Sequence, residues 1–221
     1  MKQSQHVRLI VLIYYILLYV LWACLECIIV PKLELPPVSI EAVKEIGCKI
    51  LLWSIPAILL ILRYDDSLFL HRNELSGDPK KPVTYLPLCM FALLFTAYFL
   101  FLNYYENGKI VISPSFHPAD IPIALSIGIG EELVFRGLLL NAALKDRNPW
   151  IVCFGNAVMF LMIHFPIWLR EGVFLHNITN FTFLMIIVLS LIFSWTFVKS
   201  RSMIVPVILH AYWDLLCVVM A

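Results

Sequence analysis

Charge is scarce in this sequence. Asp, Glu, Lys and Arg make up 14% of its 221 residues, against about a quarter in an average soluble domain. The formal net charge is only +1, so the electrostatic footprint of a nucleic-acid binder is missing and nucleic acid is excluded as a partner. The zinc-binding helix signature H-E-x-x-H is absent. A single C-x-x-C, Cys24 to Cys27, has no second pair to complete a metal or redox site. The six cysteines lie mostly in or beside apolar stretches, where they act as small hydrophobes. Internal repeats and low-complexity tracts are also missing, as is any sign of two related halves, a common mark of transporters.

Hydrocarbon is what the chain has in excess: 62% of residues are hydrophobic, and the mean hydropathy is +0.89. The excess falls in blocks at 9–30, 46–63, 85–103, 121–142, 150–169, 182–199 and 202–220. Apolar blocks of this length read as membrane-spanning helices. The expectation is an all-α, polytopic transmembrane bundle of about seven spans, folded as a single membrane domain over 1–221. The block at 46–63 is the weakest, interrupted by Lys49 and Pro56. The first block follows Lys2 and Arg8 and is longer than the core of a signal peptide, so it reads as a retained helix.

Positive charge sets the orientation, because Lys-rich and Arg-rich loops stay in the cytoplasm. With the N-terminus inside, Lys32, Lys44, Lys49, Lys109 and Arg170 fall in outer segments and Arg136 within a span. The other ten of the 16 basic residues fall inside. A cytoplasmic N-terminus with seven spans fits that two-to-one bias.

An ionisable side chain costs about 2.5–3.5 kcal/mol at the centre of a membrane helix on insertion scales. Glu131, Glu132 and Arg136 in the fourth block, His164 in the fifth, and His210 and Asp214 in the seventh therefore each ask for a reason. Glu26 lies near the end of the first block, within reach of the interface. Residues four apart share a helix face. Glu132 can therefore pair with Arg136, His210 shares a face with Asp214, and Asn156, Phe160 and His164 share another. Glu131 points about 100° away from Glu132, toward other helices. Ala124 and Gly128, four apart, allow two helices to approach closely.

A glutamate and a histidine meeting in a wet pocket inside the membrane can activate water. Glu131 would take the proton from a water also held by His164, and His210 would face the oxyanion formed at a peptide carbonyl. Glu131, His164 and His210 also form an N/N/O set that zinc accepts, which leaves a metal-dependent version as the alternative to a cofactor-free site. A purely structural ion-pair cluster or a proton relay stays open on spacing alone.

The motifs appear in order on successive blocks: E-E-x-x-x-R from Glu131 to Arg136, F-x-x-x-H from Phe160 to His164, and H-x-x-x-D from His210 to Asp214. Together they resemble the CPBP family of CAAX proteases and bacteriocin-processing enzymes, also called Abi, over residues 121–221. The resemblance implies an all-helical intramembrane endopeptidase, similar to the type II CAAX prenyl proteases, with its catalytic core in 121–221. It implies that Glu131 and His164 activate water, that Glu132 and Arg136 brace the motif helix, that His210 and Asp214 stabilise the oxyanion, and that Phe160 packs beside them. Asp214 stands where eukaryotic members carry asparagine. The short loops resemble a prokaryotic member in a cell membrane, acting on a peptide or membrane-associated protein. The competing functions are a non-catalytic bacteriocin-immunity or partner-binding protein and a proton-coupled transporter.

Overall fold

A computed structural model describes residues 2–78 and 82–220, with the backbone alone given for residues 2, 3 and 82–84. Lys80 and Lys81, two of the charges used to orient the chain, lie outside the described residues. Among the described residues all regular structure is helical. Seven long helices cover the seven apolar blocks. They are α1 (Ser4–Lys32), α2 (Pro37–Ser67), α3 (Tyr85–Asn107), α4 (120–144), α5 (Pro149–Arg170), α6 (Thr182–Ser200) and α7 (Ile204–Met220). Five of them (α1, α2, α3, α5 and α6) are long and apolar enough to cross a membrane. The paired glutamates and Arg136 make α4 more charged than these five, and α7 is shorter.

Helical periodicity divides each helix between protein and lipid. On α1, Val7, Val11, Tyr15, Leu18, Trp22 and Leu25 are buried, at steps of three and four residues. Leu9, Leu12, Ile13, Ile16, Leu17, Val20 and Leu21 lie on the other side and are exposed. Exposed leucine and isoleucine at this density suit a hydrocarbon solvent rather than water.

Two packing clusters hold the bundle. The larger joins α1, α2 and α5 to the second half of α4 through Trp22, Trp53, Phe135, Phe160 and Leu138. The smaller joins α3, α6 and α7 through Phe95, Phe99, Phe193 and Leu209. Asn103, buried in α3, donates to the Met220 carbonyl at 2.7 Å and so satisfies the end of α7. Thr96 and Tyr212 share a hydroxyl contact of 2.6 Å between the same two helices.

The weak second block is longer than the sequence suggests. α2 begins at Pro37 and runs for 31 residues, with Lys44 and Lys49 inside it and buried. Neither lies in an outer loop, which corrects their use as loop charges. Wide π turns occupy 25–29 in α1, 42–48 and 50–54 in α2, and 133–140 in α4. Such turns are uncommon and gather at functional sites. Here they lie beside the buried charges.

Candidate active site

Glu131 and Glu132 end the regular α-helical part of α4, which runs Asp120–Glu132 before the π turn begins. Both are buried, and their side chains diverge as the helix geometry requires. Glu132 Oε1 accepts from Arg136 Nη1 at 2.8 Å, one turn along. Arg136 continues to α6, where Nη2 donates to the Ser190 carbonyl at 2.9 Å and to Ser190 Oγ at 2.7 Å. Its guanidinium lies 4.8 Å from the Phe160 ring and 5.4 Å from Phe193. An arginine with no exposed surface is thus tied to a carboxylate, a serine and two aromatic faces, which offsets its desolvation.

His210 projects from α7 into the same layer. Its Nδ1 lies 2.8 Å from Glu132 Oε1. A carboxylate oxygen only accepts, so Nδ1 carries the proton in that contact. The other ring nitrogen, Nε2, faces Glu131 Oε2 at 3.8 Å and Asp214 Oδ2 at 3.5 Å. Among the described residues neither of those oxygens has a hydrogen-bond partner, and both are buried. The ring stacks on Phe193, with centroids 4.9 Å apart and planes 20° apart.

His164 sits at a break in α5. Pro166 has no N–H to continue the helix, and the chain turns at Ile163–His164. Three carbonyls around the break meet side-chain partners. Tyr15 donates its hydroxyl to the Met159 carbonyl at 2.8 Å, and Trp22 Nε1 donates to that of Ile163 at 3.1 Å. The third partner is His164 itself, whose Nδ1 lies 2.9 Å from the Phe160 carbonyl. That contact puts the proton on Nδ1 and leaves the Nε2 lone pair free. Phe160 forms a wall common to both histidines, 5.3 Å from the His164 ring and 5.7 Å from that of His210. Asn156, one turn earlier, donates to the Phe135 carbonyl at 3.0 Å and pins α5 to α4.

The structure therefore gathers Glu131, Glu132, Arg136, His210 and Asp214 in direct contact, with Phe160 against Arg136 and both imidazoles. Glu131 and His164 share no contact of ion-pair length. Close approach of α4 and α7 sets this geometry: a Cβ built on Gly128 would lie 2.8 Å from the Ala211 backbone nitrogen, next to His210.

One participant escaped the sequence reading. Lys49 Nζ lies 2.5 Å from Glu131 Oε1 and also pairs with Glu45, one turn back on α2. The ammonium lies 5.2 Å from the Trp22 ring and 4.9 Å from Trp53. Lys49 was visible as a break in an apolar block, and a charge four residues from Glu45 inside a span was the available signal. Glu26 is a correction. Instead of reaching the interface it is fully buried, paired with Lys44 at 3.0 Å and Arg170 at 2.8 Å.

The zinc alternative needs Glu131, His164 and His210 to converge. Among the described residues, the one trio of ligand-type side chains with donor atoms within 4.8 Å of one another is Asp65, Asp66 and His71, at the end of α2 and in the loop after it. The lysine ammonium on Glu131 Oε1 also holds the place of a cation. As arranged, the three residues do not form a zinc-sized ligand set. A cavity of 340 Å³ between α2, α4 and α7 has Asp214 in its wall, together with Glu41 and Asp120.

Comparison with protein families finds that residues 114–216 match the family model described as type II CAAX prenyl endopeptidase Rce1-like. That segment runs from just before α4 into α7 and contains Glu131, His164, His210 and Asp214. Comparison with curated proteins and with solved structures gives no match.

Proposed function

Because the chain belongs, through residues 114–216, to the CAAX protease (CPBP) family, we propose that it is an intramembrane endopeptidase whose water nucleophile is activated by Glu131 and His164. The coarse activity follows from the family: a membrane-embedded protease, hence a hydrolase acting on a peptide or protein. The residue roles are our reading.

The observation that carries it is the state of Glu131. One oxygen is engaged by Lys49, while Oε2 is buried, unpartnered and 3.8 Å from His210 Nε2. An ionised carboxylate oxygen left free in a dry protein interior is costly unless something polar is meant to meet it. A water accepted there, and held also by the free Nε2 of His164, loses its proton to Glu131 as it attacks the substrate carbonyl. His210, acting as an imidazolium, donates from Nδ1 to Glu132 and from Nε2 to the oxyanion. Asp214 stands beside that nitrogen and completes the oxyanion side. Glu132 and Arg136 hold His210 and the motif helix in register. The cavity beside Asp214 is the route for an extended peptide. In this reading 121–221 is the catalytic core of a single membrane domain, and the short loops suit a prokaryotic cell membrane.

The test uses purified full-length protein and an internally quenched, farnesylated CAAX-terminated peptide, the probe that the family description suggests. Wild type should cleave it. Glu131→Gln should be slower by about 10²–10⁴-fold, the usual worth of a general base, with its helical circular dichroism unchanged. Cleavage at the wild-type rate by Glu131→Gln would end the mechanism.

A further inference from the structure

Lys49 lies outside all three motifs and outside residues 114–216, yet its ammonium makes the shortest described contact to Glu131. It reaches the site from α2, across from α4, and 3% of its side chain is exposed. Buried lysine is rare unless paired. An ammonium has three donors. Here two meet carboxylates, Glu131 Oε1 and Glu45 Oε2, and the rest of the head group lies against the faces of Trp22 and Trp53. Glu45 sits one turn earlier on the same helix and so fixes where the ammonium points.

We propose that Lys49 is a positioning residue of the active site: its ammonium holds Glu131 Oε1, balances the carboxylate's charge, and presents Oε2 to the reacting water. The proposal rests on the peptidase reading above and adds a residue from the half of the chain that carries no motif. The asymmetry of Glu131 separates this role from simple structural pairing. A pair serving only to neutralise two buried charges gains most when both carboxylate oxygens are engaged, as a planar guanidinium engages them. Lysine is a compact point charge that takes one oxygen and leaves the other free. The free oxygen here is the one that faces His210. Without the ammonium, Glu131 would be a buried carboxylate with no compensating cation on its Oε1 side, and such a group takes up a proton rather than stay charged. A protonated Glu131 cannot accept the water's proton. Positioning thus acts through charge as well as geometry.

A second cavity makes the test direct. A space of 290 Å³ between α2 and α4 is lined by Lys49, Ser54, Ser126 and Gly130, and a small alkylammonium can enter it. The experiment compares wild type, Lys49→Met and Lys49→Ala as full chains in detergent, using the quenched peptide and infrared difference spectra, with the Glu131 carboxylate band assigned by its loss in Glu131→Gln. The expected result for Lys49→Met is a kcat lower by about 100-fold, within the range for losing a general base, a KM within about threefold, and loss of the Glu131 carboxylate band. Lys49→Ala should recover turnover with propylammonium and not with propanol. Wild-type turnover in Lys49→Met, or a carboxylate band that persists in it, overturns the proposal. Should Lys49→Met not fold, Lys49→Ala purified in propylammonium decides. If removing the amine abolishes turnover while the melting temperature holds, the proposal is supported; if turnover and melting fall in step, Lys49 is structural only and the proposal is overturned. If wild type leaves the peptide uncut while Lys49→Met still loses the Glu131 band, the peptidase reading falls and the charge pairing stands.

Discussion

The contact between α4 and α7 offers a graded way to test whether geometry at this site sets the rate. Gly128 faces Ala211 so closely that an added Cβ would sit 2.8 Å from its backbone nitrogen and 2.9 Å from its Cβ, where ordinary contact begins at 3.4 Å. The obstacle is backbone, which cannot swing aside. Gly128→Ala must therefore move α7 by about 0.6 Å or more, and overpacking of this kind costs about 1–3 kcal/mol. Alanine returns about 0.5–1 kcal/mol through its better helix propensity. A net loss of up to about 2.5 kcal/mol lowers the melting temperature by up to about 10 °C in a chain of this size. The displaced residue adjoins His210, so the 3.8 Å spacing from its Nε2 to Glu131 on α4 changes with it, while Asp214 travels on the same helix as His210. A misplacement of about 1 Å can cost about 10²-fold in rate, and a turnover lower by about 10–100-fold is expected. Gly155 is the matched control, because a Cβ there meets nothing within 4 Å. Gly155→Ala should keep its turnover and melt no lower than wild type. The assay is peptide cleavage alongside thermal unfolding followed by circular dichroism. Wild-type turnover and melting in Gly128→Ala would show that this close approach does not set the site's geometry.

Arg136→Met leaves the buried Glu132 without its guanidinium partner and should cost about 3–5 kcal/mol, read by unfolding in mixed micelles; Glu132→Gln in the same chain should return part of that loss. Trp22→Phe removes the indole N–H that satisfies the Ile163 carbonyl beside His164. It should cost about 1–3 kcal/mol in unfolding free energy and slow cleavage by loosening the break in α5. At residue 214, asparagine can still present an oxygen and an N–H to the site while leucine can do neither. Asp214→Asn is expected to keep kcat within about tenfold and Asp214→Leu to lose about 10²–10³-fold, as for the removal of an oxyanion donor. Equal rates in the two would remove Asp214 from the oxyanion side.

Much of the fold was legible because hydrocarbon leaves few choices. Backbone polar groups in lipid must be satisfied within the segment, so apolar blocks become helices, and all seven blocks did. The i, i+4 spacings of Glu132 with Arg136 and of His210 with Asp214 are local, and local spacing transfers from sequence to structure. Long-range partners carried no such signal. Ser190 binds Arg136 through its backbone as well as its hydroxyl, and nothing in its neighbourhood marks it. Lys49 interrupts an apolar block: Glu45, four residues back, is a local partner, but Glu131 reaches it from α4, 82 residues away. The cations of Glu26, Lys44 and Arg170, likewise sit on other helices, and nothing near residue 26 in the sequence marks it as buried. The π turns that re-aim these side chains depend on tertiary packing and leave no pattern in the residue order.

The succession Arg170, Glu26, Lys44, Glu45, Lys49 and Glu131 has a consequence for biogenesis. It crosses four helices: α1 brings a lone acid, Glu26; α2 brings Lys44 and Lys49 together with their own partners Glu41 and Glu45; α4 brings Glu131; and α5 brings the cation Arg170. Leaving the translocon alone, α1 would expose Glu26 to lipid without a cation. α1 is therefore expected to be retained beside the insertion channel until α2 and then α5 bring Lys44 and Arg170, so that Glu26 is fully matched only when the half bearing the motifs is being synthesised.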